Sequence, residues 1–76
     1  MKIIHPDYPG LIKEVRRQLG LSQEDLAREL GVSYATVNRW ENGLSRPSKL
    51  ARTQLDRFCE RMRAAGLLAL PEPGRG

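Results

Sequence analysis

Seventy-six residues carry thirteen Lys and Arg, nine Asp and Glu and one His, for a net charge of +4. A chain this short makes one small domain burying about 60% of its unfolded surface, with no room for a separate ligand domain. No apolar run approaches the roughly 20 residues of a membrane-spanning helix, Met1–Pro6 is too short in its apolar part for a signal peptide, and the lone Cys59 has no disulfide partner. A cytoplasmic protein that is neither a membrane protein nor an enzyme, and that needs no cofactor or metal, is expected.

Residues 1–10 read as an N-terminal arm with two prolines and a glycine, in which Ile3 and Ile4 suit a short strand or a packed arm. His5 has no acid–base or nucleophilic companion, so no catalytic role is assigned to it. A first helix is expected from Pro9 or Gly10 to Leu19, because Leu11, Ile12, Val15 and Leu19 follow helical spacing. Gly20 stops it. Ser22 caps a second helix ending at Leu30, and Asp25 three residues on completes a variant of the capping box. Gln23, Glu24 and Asp25 open that helix, so two carboxylates lie at the positive end of its dipole. Gly31 supplies the sharp turn, Ser33 caps a third helix running to about Asn42, and Gly43 ends it.

Leu44–Pro47 is a loop. Ser48 caps a last helix reaching Ala65, whose stripe is Ala51, Leu55, Phe58, Met62 and Ala65 with Cys59 alongside. Residues 11–66 form the globular domain on this reading. The segment after Gly66 begins with apolar Leu67–Leu70, read as exposed, and continues as a flexible tail from Pro71 to Gly76.

Charge is unevenly placed. Residues 1–32 carry five basic and five acidic side chains, while residues 33–63 carry seven basic and three acidic. The excess begins with the third helix and favours a polyanionic partner. At 100° per residue, Val37 and Trp40 fall on one side of that helix, and Tyr34, Ala35, Asn38 and Arg39 on the other. The outer set is suited to reading base edges: Arg clamps guanine, Asn pairs with adenine, and Ala touches a thymine methyl. Trp40 belongs to the core instead. Gln23 sits where free backbone N–H groups at a helix start hold phosphate, and Asn42, Arg46 and Lys49 flank the far end as backbone contacts. Glu41 would repel phosphate, so a structural ion pair with Arg16 of the first helix is the better reading.

Leu21–Ala27, Leu30–Ser33, Thr36–Gly43 and Arg46–Ser48 together resemble the phage-repressor/Cro-type, or XRE, helix-turn-helix family. The resemblance implies an all-α, compact, repressor-like domain that binds double-stranded DNA as a homodimer on palindromic operators. By position it implies a DNA-contacting set of Gln23, Ser33, Tyr34, Ala35, Arg39 and Asn42, with Arg46 and Lys49 near the backbone or minor groove. It also implies an Arg16–Glu41 ion pair joining the first and third helices. The family carries two short helices after the Arg-Pro loop, whereas Lys49–Ala65 contains no breaker and reads as one long helix, so four or five helices are expected.

A second reading is an antitoxin or accessory module, in which the last helix and the Leu67–Leu70 segment grip a protein partner such as a toxin or another regulator.

Overall fold

The structure, a computed structural model, describes residues 7–70. The arm residues Ile3, Ile4 and His5 and the tail from Pro71 lie outside that range. Four helices follow one another, with no strand among the described residues: α1 (Tyr8–Leu19), α2 (Gln23–Leu30), α3 (Tyr34–Glu41) and α4 (Lys49–Ala64).

Helix α1 starts earlier than its apolar spacing suggests, because Asp7 caps it. The Asp7 carboxylate accepts the Gly10 N–H at 3.1 Å, and Pro9 sits in the first turn, where its missing N–H has no helical partner to lose. Helix α2 carries the full capping box: Ser22 Oγ accepts from Asp25 N at 2.9 Å, and Asp25 Oδ2 accepts from Ser22 N at 3.0 Å. Between α2 and α3 the chain reverses at Gly31, whose φ of 73° lies in the left-handed region that side chains with a Cβ avoid.

After the loop, α4 runs unbroken for 16 residues, so a single helix stands where the family resemblance implied two short ones. It stops at Ala64. Ala65, expected on the apolar stripe, is exposed.

The core takes Ile12 and Val15 from α1, Leu26, Ala27 and Leu30 from α2, Val37 and Trp40 from α3, and Leu55, Phe58 and Cys59 from α4. Helix α3 packs on both α1 and α2, and α2 also packs on α4. Burying Cys59 raises its thiol to about 11.

The segment after α4 differs from the sequence reading. Leu68 is 5% exposed and completes the core, Leu70 is half-buried, and only Leu67 of the three leucines faces solvent. Leu67–Leu70 is therefore a strap over the chain's own core, not an exposed apolar tail. The reason is burial: Leu68 joins the same apolar cluster as the helix side chains. The strap is fastened by Gln18 of α1, whose side-chain amide meets the Ala69 backbone. The feature that motivated the antitoxin or accessory reading is thereby withdrawn.

Candidate nucleic-acid interface

Helix α3 is held from beneath. Val37 and Trp40 are buried, so the opposite face turns outward. Tyr34 is 51% exposed, Ala35 is exposed, and Arg39 is exposed with no side-chain partner among the described residues. Ser33 is exposed too, but its hydroxyl is spent on the cap: Oγ accepts from Thr36 N at 3.1 Å and lies 2.9 Å from Thr36 Oγ1.

Asn38 does not project freely, as the helical wheel suggested. It is half-buried, and its Nδ2 donates to Gln23 Oε1 at 3.2 Å. Asn42 Nδ2 donates in turn to the Asn38 backbone oxygen at 3.0 Å and to Asn38 Oδ1 at 3.1 Å. Gln23 is likewise engaged, its Nε2 donating to Glu41 Oε1 at 3.0 Å.

Glu41 anchors this chain of amides. It is 4% exposed, and it ends α3, where the helix dipole disfavours a negative charge. Arg16 compensates with a two-pronged pairing: Nε to Oε2 at 2.6 Å and Nη2 to Oε1 at 2.9 Å. The third Arg16 donor, Nη1, reaches the Leu21 carbonyl at 3.1 Å. Burial alone would push the Glu41 carboxyl up, but the Arg16 and Gln23 hydrogen bonds outweigh it and hold the group below the usual carboxylate range. No buried side-chain polar atom among the described residues lacks a partner. One carboxylate thus ties α1, α2 and α3 together behind the outward face of α3.

The helix starts differ in charge. Helix α2 has Glu24 and Asp25 in its first turn, whereas α3 and α4 have no acid there. Lys49 occupies the first position of α4, where the dipole opposes a cation. Arg46, in the loop before α4, is exposed.

The helix-turn-helix family model matches residues 12–51, from the middle of α1 to the first turn of α4. That stretch contains the whole α2–turn–α3 unit and the Arg16–Glu41 pair. The chain belongs to the XRE-type helix-turn-helix family.

This helix-turn-helix protein is similar to an uncharacterized HTH-type transcriptional regulator of Methanothermobacter thermautotrophicus. The two are 36% identical over 64 residues, which cover 84% of this chain and 93% of the relative. It is also similar to the Type II methyltransferase M1.ScrFI of Lactococcus lactis subsp. cremoris. There the identity is 42% over 53 residues, spanning 66% of this chain but 14% of that enzyme. The second likeness is thus to a small portion of a larger protein and carries no enzymatic activity across. No solved structure matches. With the family goes the coarse function of a DNA-binding protein of the transcription-regulator class. No helix among the described residues is long and apolar enough to cross a membrane.

Sequence reasoning passed over three features of this region. Gln23 and Asn38 bond to one another across fifteen positions of chain, which no local pattern shows. Gln18 clamps the C-terminal strap from 51 positions away. The Asp7 cap, by contrast, was legible in principle as an Asx residue just ahead of a helical proline.

Proposed function

We propose that this protein binds double-stranded DNA sequence-specifically and represses transcription as a homodimer, with α3 in the major groove and α2 crossing the backbone. The observation that carries the reading is the combination on α3 of a sunken Val37–Trp40 side and an outward Tyr34, Ala35 and unpartnered Arg39. An exposed guanidinium with no internal partner keeps all five N–H donors available, and its planar fork matches the two acceptors of a guanine edge.

In this reading Arg39 and Asn38 contact base edges, Tyr34 stacks on sugar or reaches a base, Ala35 lets the helix approach closely, and Ser33 stands at the margin of the set. Gln23, Asn42, Arg46 and Lys49 line the phosphate path. Two copies would place their α3 helices one DNA turn apart, about 34 Å.

Selection from random duplexes at fixed salt tests all of this. A two-fold symmetric consensus with half-sites one turn apart supports both specificity and dimerisation. An asymmetric consensus removes the homodimer, and recovery of no consensus removes the regulator reading.

A further inference from the structure

The polar chain behind α3 has a direction. Asn42 donates to Asn38, Asn38 to Gln23, and Gln23 to Glu41, while Arg16 closes the far side of the carboxylate. Every donor along it points toward Glu41.

That order follows from chemistry. An ionised carboxylate only accepts, so Gln23 must turn its NH₂ toward Glu41 and its oxygen away. The Gln23 oxygen only accepts, so Asn38 must turn its NH₂ inward and leave its oxygen for Asn42. Flipping either amide would set oxygen against oxygen or NH₂ against NH₂ and break two hydrogen bonds at once. The two bonds that Gln23 makes are part-buried, where water replaces a lost partner less readily, while the Asn42 bond is exposed. Asn38 therefore keeps a fixed orientation, with one N–H and one oxygen lone pair that neither Gln23 nor Asn42 uses.

We propose that Gln23 and Glu41 are specificity-determining residues acting through Asn38: the carboxylate fixes the polarity of the Gln23 amide, and Gln23 fixes which edge of Asn38 donates to a base pair that neither Gln23 nor Glu41 touches. This rests on the DNA-reading role proposed for α3 and adds to it. An unsupported asparagine presents donor and acceptor in either order and tolerates two base-edge patterns, whereas a locked one accepts a single pattern. Gln23 and Glu41 are positioning residues here. Gln23 keeps a second amide N–H that remains available to phosphate, so the two roles coexist.

The test is a competition between duplexes that differ at one base pair, taken from the selected consensus and used with the full chain. Asn38→Ala first identifies the base pair that Asn38 reads. Gln23→Met removes both of the Gln23 side-chain hydrogen bonds at similar volume. Discrimination at that same base pair should then fall on the order of tenfold, the size of one base-edge contact. In the Asn38→Ala background, Gln23→Met should change it no further. A merely lost phosphate contact lowers affinity for every duplex alike and leaves the ratio untouched; that result overturns the proposal. If Asn38→Ala changes preference at no base pair, the reading role of α3 at Asn38 falls, and the proposal falls with it.

A measurement on the unaltered protein stands even if the variants unfold. The Gln23 and Asn38 side-chain amides should exchange with solvent more slowly than the exposed Gln54 amide in nitrogen–proton spectra. Equal exchange would show that no lock exists.

Discussion

The side chain of Gln18 grips the backbone of Ala69 in both directions, Oε1 accepting from Ala69 N at 2.8 Å and Nε2 donating to Ala69 O at 2.9 Å. The same Nε2 donates to Glu14 at 2.8 Å, so α1 prepares its own amide for the strap. The grip lies next to Leu68, which is buried in the core, so the strap is part of the fold.

Leu68→Ala should cost about 2–5 kcal/mol, the range for emptying a buried leucine site. In a domain this small that lowers the melting temperature by about 4–8 °C per kcal/mol. Gln18→Ala should act in the same direction and by less. Thermal melting followed by circular dichroism checks both, and a Leu68→Ala melt matching the wild type would contradict the buried placement.

Glu41→Ala and Arg16→Ala should each destabilise by about 3–5 kcal/mol, because each strands the other charge. The loss is larger at Arg16→Ala, which strands a carboxylate side chain 3% exposed, whereas Glu41→Ala strands a guanidinium side chain 25% exposed. Replacing both residues together by Ala should cost less than the sum of the single losses, since no unpaired charge is then left behind. Urea titrations of the four proteins form the cycle. Additive losses would mean the two side chains do not interact.

Acid should unfold the protein through Glu14 and Glu41. Hydrogen bonds from Arg17 and then Gln18 bring Glu14 from its ordinary 4.5 down to about 2. Glu41 is also lowered, its burial outweighed by Arg16 and Gln23. Both folded-state values lie below the unfolded ones, so the stabilisation is complete above about pH 4.5 and drains away as pH falls toward the folded values. The urea midpoint should be level at about pH 5 to 7 and decline below that. Arg17→Ala should remove the most acidic portion of the decline. A midpoint unchanged down to about pH 3 would refute the linkage.

Arg39→Ala should cost about 1–3 kcal/mol on the selected duplex and relax preference at one base pair. Lys49→Ala should weaken binding to all duplexes equally and reduce the slope of log affinity against log salt by about 1. Binding isotherms at several salt concentrations separate the two. An Arg39→Ala loss of the same size on random DNA would move that residue to the backbone.

Cys59 should resist thiol reagents while the protein is folded. Its thiol is buried and raised to about 11, so little thiolate exists near neutrality. Labelling with an aromatic disulfide should proceed only at the rate of unfolding, and prompt labelling in native buffer would place Cys59 at the surface.

Much of the fold was legible because it is written locally. Ser22, Ser33 and Ser48 each precede a helix and cap it, Gly20 and Gly31 sit just past helix ends, and the spacing of Val37 and Trp40 is a property of one short segment. The outward placement of Arg39 and Tyr34 was readable for the same reason. What escaped depends on contacts between distant parts of the chain. Leu68 looked like part of an apolar tail because nothing near it in sequence says that the helical core has a place for it. Asn38 looked free on a wheel that shows one helix and omits its neighbour, where Gln23 waits. The wheel placed the side chain on the right side, and tertiary packing decided what it touches.

The position of Glu41 has a practical consequence for anyone re-targeting this protein. A library that varies only residues 34, 35 and 39 samples side chains the architecture can spare, and most of its members should remain well folded. Opening position 41 as well would confound altered preference with collapse, because its carboxylate clamps three helices to one another.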